Sequence, residues 1–105
     1  MTPEPGQVVT VFRSRLRPDA DAYTDHAARM GALARTMPGY VEHKVFVAED
    51  GERLTLVTFD SAEHEAAWRA DADHRAAQQE GRDDFYDEYD VAVCEVQRRH
   101  RWTRD

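Results

Sequence analysis

Cysteine is almost missing from this sequence of 105 residues, because Cys94 is the single one. An internal disulfide is therefore excluded, and a lone thiol is typical of proteins that remain in a reducing compartment. No apolar run approaches the roughly 18 residues of a membrane span, and the N-terminal residues MTPEPGQ lack the basic-then-apolar pattern of a signal peptide. Together these absences predict a cytoplasmic protein with no membrane partner.

Positive charge is also scarce. Lys and Arg number 14 against 21 Asp and Glu, which gives a formal net charge of −7. Binding to a phosphate backbone requires a cationic face, so a nucleic acid is not an expected partner. A chain of this length has room for one domain with a modest core.

Motifs for common cofactors are lacking as well. The sequence contains no Gly-x-Gly-x-x-Gly or phosphate-binding loop. Its five histidines form no His-x-x-x-His pair and no cysteine-containing cluster with the spacing of metal ligands. Zinc and non-haem iron sites are therefore not predicted.

Hydrophobic patterning predicts four strands and three helices. The strands are predicted at 8–16, 40–48, 53–59 and 89–97, where β-branched and aromatic residues concentrate. A long helix is predicted to start at Pro18-Asp19 and end at Pro38-Gly39. A second helix is predicted to start at Asp60, which has Glu63 three places on, as in a capping box. A third is predicted from about His74 to Glu80, with Gly81 ending it.

This order predicts an α+β, ferredoxin-like split βαβ fold with a four-stranded antiparallel sheet and the helices on one face. Several strands carry apolar residues on both faces, whereas a sheet face left in water normally alternates with polar residues. The uncovered face therefore needs a partner. Two-fold homodimers are the commonest assembly, so we expect a homodimer through the sheet face.

Most groups able to do chemistry fall within residues 60–89. His64 and Trp68 are four residues apart and share one helix face. Asp71 or Asp73 can cap the next helix, which places His74 in its first turn. The same stretch holds an amide pair, an arginine after a glycine, and three aromatic residues: Gln78, Gln79, Arg82, Phe85, Tyr86 and Tyr89.

Seven segments in order carry a family resemblance: VVTVFRSRL, MPGY, GERLTLVTFDS, AAWR, ADHRAAQQEGR, DFYDEY and VCEV. Across residues 8–98 the chain resembles the antibiotic biosynthesis monooxygenase (ABM) domain, a branch of the dimeric α/β-barrel superfamily. Residues 1–7 are then a flexible arm and residues 99–105 a basic tail. The tail region, RRHRWTRD, is interpreted as a clasp across a partner subunit, an anion site, or a solvated chain end.

The resemblance implies a homodimer with a pocket between the sheet and helices of each subunit. It also implies a monooxygenase that oxidises a small aromatic or polyketide-type substrate with molecular oxygen and no metal or flavin. Such an enzyme needs a base with a pKa near neutral, an apolar slot, and donors for developing negative charge. His74 is the first candidate base, with His64 and His26 behind it. The predicted slot consists of Trp68, Phe12 and Tyr86, and the predicted donors are Arg82 and Gln78.

Two alternatives use the same residues. In a haem-binding or haem-degrading relative, His74 is the axial ligand and Trp68 packs on the porphyrin. The first strand, however, carries Phe12, Arg13 and Ser14 where those enzymes carry an asparagine. In a non-catalytic dimeric protein, the pocket only holds a small hydrophobic or aromatic ligand. An enzyme requires an enclosed apolar cavity with a histidine or arginine aimed into it, whereas a purely structural dimer fills that space with side chains.

Overall fold

The computed structural model of the chain describes residues 5–104. Its elements follow the predicted order of strand, helix, strand, strand, helix, helix and strand. They are β1 (Val8–Leu16), α1 (Tyr23–Arg35), β2 (Tyr40–Val47), β3 (Arg53–Phe59), α2 (Ala62–Ala70), α3 (Ala72–Asp84) and β4 (Tyr86–Glu95). The ferredoxin-like α+β fold is therefore confirmed.

The four strands form one antiparallel sheet in the order β2-β3-β1-β4. On the central strand β1, Phe12 stands opposite Thr55 of β3 on one side and opposite Val91 of β4 on the other. Side chains alternate between the faces of a strand, so these three residues lie on one face. Thr10 shares that face, which is the one the helices cover.

The small core lies between this face and the helices. Phe59 at the end of β3 is completely buried and packs with Ala34 of α1 and Trp68 of α2. Burying an aromatic side chain of this size stabilises the fold by roughly 1.5–3 kcal/mol. The core thus fixes all three elements at one end of the sheet.

The opposite face of the sheet is apolar in its centre and uncovered. Val9 and Val11 of β1 lie on the same face as Leu54 and Leu56 of β3, and all four are only partly buried. Phe46 of β2, on the same face, is 44% exposed. This is the face for which the sequence predicted a partner.

Two helix boundaries differ from the prediction. Ser61, not Asp60, is the N-cap of α2 and accepts a hydrogen bond from the backbone N–H of His64, while Asp60 contacts the His64 ring. Gly81 does not end α3, which continues to Asp84. Gly81 is instead buried where a Cβ would lie 2.6 Å from Cε2 of Tyr86, so its role is to let that ring approach the helix.

Two further boundaries shift. The helix predicted from Pro18 begins only at Tyr23, because residues 18–22 form turns without continuous helical hydrogen bonds. Strand β4 begins at Tyr86 and ends at Glu95, three residues earlier at its start than predicted. Its early start follows from pairing with the end of β1, where Leu16 stands opposite Tyr86 across a bulge.

Gly6 and Gln7 lie beside the residue that follows β4. Gly6 donates a backbone hydrogen bond to Val96, and Val96 donates one to Gln7; the first four residues of the predicted arm lie outside the described part of the chain. From Gln97 to Arg104 the chain has no helix or strand, and Asp105 is likewise not described. Within residues 5–104, none of the helices has both the length and the apolar character that crossing a membrane requires.

Candidate functional site

A cavity of about 170 Å³ lies between the sheet and the helices. Most of its lining is apolar or aromatic, and its polar groups are hydroxyls, imidazoles and one amide. None of the described side chains that line it is a Lys, Arg, Asp or Glu. The lining residues are Thr10, Phe12, Tyr23, His26, Ala27, Met30, Gly31, Ala34, His43, Val45, Thr55, Val57, Trp68, His74, Gln78, Tyr86, Tyr89 and Val91.

His74 enters the cavity from the first turn of α3. Asp71 is the N-cap of that helix and accepts a hydrogen bond from the backbone N–H of His74 at 3.0 Å. The imidazole lies flat on the indole of Trp68, with ring centroids 3.7 Å apart and planes 13° apart. Its Nδ1 lies 2.9 Å from the backbone oxygen of Trp68. A helix cap and an aromatic platform therefore fix both the backbone and the ring of His74.

The hydrogen bond to Trp68 determines which nitrogen of His74 can take a proton. A backbone carbonyl only accepts hydrogen bonds, so Nδ1 carries the hydrogen in that contact. Nε2 makes no hydrogen bond to any described residue. Burial lowers the pKa of His74, which is 8% exposed, so the ring is neutral at pH 7. His74 thus presents an unprotonated Nε2 in a cavity without charged side chains.

His26 of α1 is a second buried histidine in the lining and has a different partner. Its Nδ1 lies 2.9 Å from Oε1 of Glu80 on α3. Arg29 donates to the same oxygen at 2.8 Å. The hydrogen bond from His26, together with Arg29, lowers the pKa of Glu80, so its carboxyl group is an anion at neutral pH. The ring also packs 4.8 Å from the Phe85 ring, which holds its orientation.

His43 of β2 is the third histidine in the lining. Its Nδ1 lies 2.6 Å from the hydroxyl of Tyr40. Burial, with a smaller effect of Arg35, lowers its pKa. A Cβ at Gly31 of α1 would lie 3.0 Å from Nε2 of His43, so a glycine is needed for this close approach of helix and strand.

Aromatic rings form one end of the cavity. Phe12 lies 5.5 Å from the ring of Tyr86 and 5.3 Å from that of Tyr89, while Tyr23 packs edge-on against Tyr86 at 5.8 Å. Burial, reinforced by the neighbouring hydroxyl of Tyr23, raises the pKa of Tyr86 far above its ordinary value. This hydroxyl therefore stays protonated and can donate a hydrogen bond. The guanidinium of Arg53 covers the ring of Tyr23 at 5.1 Å.

The structure brings six of the eight predicted site residues to one cavity: His74, Trp68, Phe12, His26, Gln78 and Tyr86. It places the other two outside it. His64 is bound to Asp60 at 2.5 Å on the surface. Arg82 is exposed and donates to the hydroxyl of Tyr89 and to the side chain of Gln79.

Three residues with polar contacts at the site were not predicted: His43, Tyr23 and Glu80. The alternation along β2 placed His43 on its more apolar side, which was a usable signal. Tyr23 lies in the four-then-three apolar spacing of α1, a pattern that indicates a core residue and not a site residue. Glu80 carried no signal, because its partner His26 is 54 positions away and only the packing of α1 on α3 brings them together.

The same geometry bears on metals and haem. Within residues 5–104, no group of three or more His, Cys, Asp and Glu side chains is arranged to hold a metal ion. A cavity of about 150 Å³ accommodates a benzene-sized ligand. A porphyrin has four pyrrole rings, so a haem would require the cavity to open widely. The His74 ring also covers the Trp68 face on which a porphyrin was expected to pack.

The chain is similar in sequence to the protein YqjZ and similar in fold to several solved structures. No protein-family model matches the chain. The chain is 33% identical over 97 residues to the uncharacterized protein YqjZ of Bacillus subtilis strain 168, a match that covers 92% of this chain and 85% of YqjZ.

Solved structures of similar shape have low sequence identity. SnoaB of Streptomyces nogalater, a cofactor-independent oxygenase, superposes with a TM-score of 0.77 at 14% identity, covering 90% of this chain and 96% of SnoaB. A "putative antibiotic biosynthesis monooxygenase" of Nitrosomonas europaea gives 0.75 at 11% identity, covering 91% and 95%. Rv0793 of Mycobacterium tuberculosis gives 0.78 at 18% identity, covering 89% and 97%.

These likenesses agree with the seven sequence segments and with the observed strand order. The chain therefore belongs to the same family as YqjZ, and its fold is that of the antibiotic biosynthesis monooxygenases, as the sequence predicted.

Proposed function

We propose that this protein is a monooxygenase that oxidises a small, uncharged aromatic substrate with molecular oxygen, without a metal or flavin. The observation that carries the proposal is the setting of His74. Its neutral imidazole is anchored through Nδ1 to Trp68 and exposes Nε2 to an apolar cavity. A base of this kind can take a proton from a phenol or an activated carbon, and the resulting anion can reduce oxygen directly.

The cavity supports the proposed substrate class. Because its described lining contains no charged side chain, a charged ligand would lose its hydration without gaining an ionic partner. The volume of about 170 Å³ exceeds the roughly 150 Å³ of an apolar cavity that holds benzene, which supports a small aromatic substrate. Trp68, Phe12 and Tyr86 supply flat apolar surfaces, while Gln78 and the Tyr86 hydroxyl can donate hydrogen bonds to a developing oxyanion.

An oxygen electrode tests this function. Purified, chelator-treated protein is supplied with 1-naphthol as a two-ring probe and with anthrone as a three-ring probe, and heat-denatured protein corrects for autoxidation. The proposal expects oxygen uptake coupled to a product that gains one oxygen atom, faster with the two-ring probe. If the probes bind without any oxygen uptake above the denatured control, the protein is a passive binder and the proposal is wrong.

We also propose that the protein works as a homodimer joined through the open face of the sheet. This face presents Val9, Val11, Leu54, Leu56 and Phe46 to solvent in a single chain. The substitution Leu56→Asp introduces a charge at the centre of this face and should make the protein monomeric, as measured by light scattering after size exclusion. Glu49→Lys, in the exposed hairpin loop, should leave the dimer intact. A parent protein that is monomeric at micromolar concentration would contradict the dimer.

A further inference from the structure

Two buried histidines share the cavity but have opposite electrostatic settings. His74 hydrogen-bonds to an uncharged carbonyl, whereas His26 hydrogen-bonds to the carboxylate of Glu80. A carboxylate only accepts hydrogen bonds, so Nδ1 of His26 carries a hydrogen and Nε2 is the remaining site for a proton. That Nε2 makes no hydrogen bond to any described residue. The same nitrogen is thus available on both rings.

The hydrogen bond from Nδ1 to the Glu80 carboxylate holds the His26 ring in one tautomer and one orientation. Arg29 contacts the same Glu80 oxygen and holds the carboxylate in place from the solvent side. Around the ring stand the titratable group of Tyr23 on its own helix, Glu80 on α3, and the neutral His43 and His74 across the cavity. Only Glu80 and Arg29 are charged, and Glu80 makes the direct contact.

We propose that His26, held by Glu80, is a second catalytic residue that acts as the proton donor in the reaction for which His74 is the base. This inference rests on the proposed function. A ring held by a carbonyl with its Nε2 unbonded suits proton removal, and a ring held by a carboxylate has the arrangement of a group that passes a proton on. Groups whose environments differ in this way are the usual acid and base of an active site.

The two roles fit a balanced reaction at a carbon that carries two hydrogens, as in the keto form of a phenol. His74 removes one proton, and the carbanion forms a C–O bond with oxygen to give a peroxide anion. The protonated His74 returns its proton to the terminal oxygen, which gives a hydroperoxide. His74 then removes the second C–H proton as the O–O bond breaks, and His26 protonates the departing hydroxide.

The net change is conversion of CH₂ and O₂ to C=O and water. The carbon loses four electrons and O₂ gains them, so no further reductant is required. A proton then passes from His74 to His26 through solvent and restores both rings. His26 thus acts after oxygen is consumed, whereas His74 acts before it, and this order separates the two residues experimentally.

The test compares His26→Gln and His74→Gln with the parent, using 1-naphthol and mass spectrometry of the products. With His26→Gln we expect oxygen uptake to continue while a hydroperoxide accumulates, with formation of the carbonyl product slowed by about 10²–10⁴-fold and KM little changed. With His74→Gln we expect oxygen uptake to fall by about 10²–10⁴-fold and no hydroperoxide to accumulate. His64→Gln is the control outside the cavity.

Glu80→Gln supplies a second test that preserves the link between α1 and α3, because the Gln oxygen can still accept from Nδ1. The neutral amide is a weaker acceptor than the carboxylate, so proton delivery from His26 should slow and hydroperoxide should accumulate, though less than in His26→Gln. A merely structural tie would leave the ratio of hydroperoxide to carbonyl product at the parental value.

Parental product yield without hydroperoxide in His26→Gln would overturn the role of His26 alone, as would a rise in KM with kcat unchanged. If His26→Gln does not fold, Glu80→Gln decides by the ratio of hydroperoxide to carbonyl product. A parent protein that consumes no oxygen would overturn the proposed function, and this inference with it.

Discussion

His64 and His74 hold the same position in two consecutive helices, yet their surroundings differ completely. Each is the third residue after its N-cap, and each backbone N–H donates to the capping side chain, Ser61 for one and Asp71 for the other. The ring of His64 then turns outward to Asp60, whereas that of His74 turns inward onto Trp68. Local sequence therefore fixes the backbone of both histidines, and the tertiary packing of α2 against α3 determines which one reaches the cavity.

Removing the Trp68 side chain, on which the His74 ring lies, should have the largest effect on the protein. Trp68→Ala deletes a core side chain and the surface on which His74 lies, so it should lower the free energy of unfolding by about 3–5 kcal/mol. Urea denaturation at fixed protein concentration measures the loss, and Trp68→Phe, which keeps a flat ring, should lose less. A loss below about 1 kcal/mol would mean that Trp68 is not a core residue.

A glycine substitution beside His64 should separate stability from activity. Gly39 has a φ of +82°, and a Cβ there would contact the His64 ring and the Asp60 carboxyl group. Gly39→Ala should therefore cost about 1–3 kcal/mol without changing kcat. Gly51→Ala is the matched control, since Gly51 has a φ of +90° and an added Cβ would meet nothing within 4 Å. Equal losses at both positions would show that the clash with His64 is unimportant.

The two caps allow a direct comparison. Ser61→Ala and Asp71→Ala should each cost about 0.5–2 kcal/mol by thermal or urea unfolding. Only Asp71→Ala should also lower kcat, by about tenfold or more, because it loosens the turn that aims His74. Asp71→Asn retains a capping oxygen and should restore the rate. If Ser61→Ala slows turnover as much as Asp71→Ala, the cap of α3 has no special part in positioning His74.

The free energy of unfolding should depend on pH because the pKa of His74 differs between the folded and unfolded states. Its pKa in the folded state lies below that in the unfolded state, so the unfolded chain binds more protons. Stability is therefore full above about pH 6.5 and falls as pH falls below it, by at most about 1.4 kcal/mol per pH unit for this group. His74→Gln should reduce that slope when urea unfolding is followed from pH 7 to pH 5, leaving the contribution of His43, whose pKa burial also lowers. An unchanged slope in His74→Gln would contradict this assignment.

The fold could be predicted because its signals are local. The alternation of Val8 to Leu16, the Asp-Gly turn between β2 and β3, and the cap at Asp71 each act within a few residues, and each appears in the structure. The helix ends were harder to predict. Gly81 has the signature of a C-cap, but its role is set by Tyr86 packing on it, and no sequence pattern reports that contact.

The site was predictable in composition but not in arrangement. The sequence predicted histidines and aromatic residues at the site, and five of them line the cavity: His26, Phe12, Trp68, His74 and Tyr86. Sequence spacing could not separate His74 from His64, because the two share one local pattern. Nor could it pair His26 with Glu80, since that contact depends on how α1 packs against α3.

Oxygen uptake by matched glutamine variants of His74 and His64 tests most directly whether His74 is the catalytic base. His74→Gln removes the base in the cavity and should lower kcat by about 10²–10⁴-fold, while His64→Gln, altered at the same helical position outside the cavity, should match the parent. Equal activity in the two variants, or a greater loss in His64→Gln, would contradict the claim that the buried ring on Trp68 is the catalytic base.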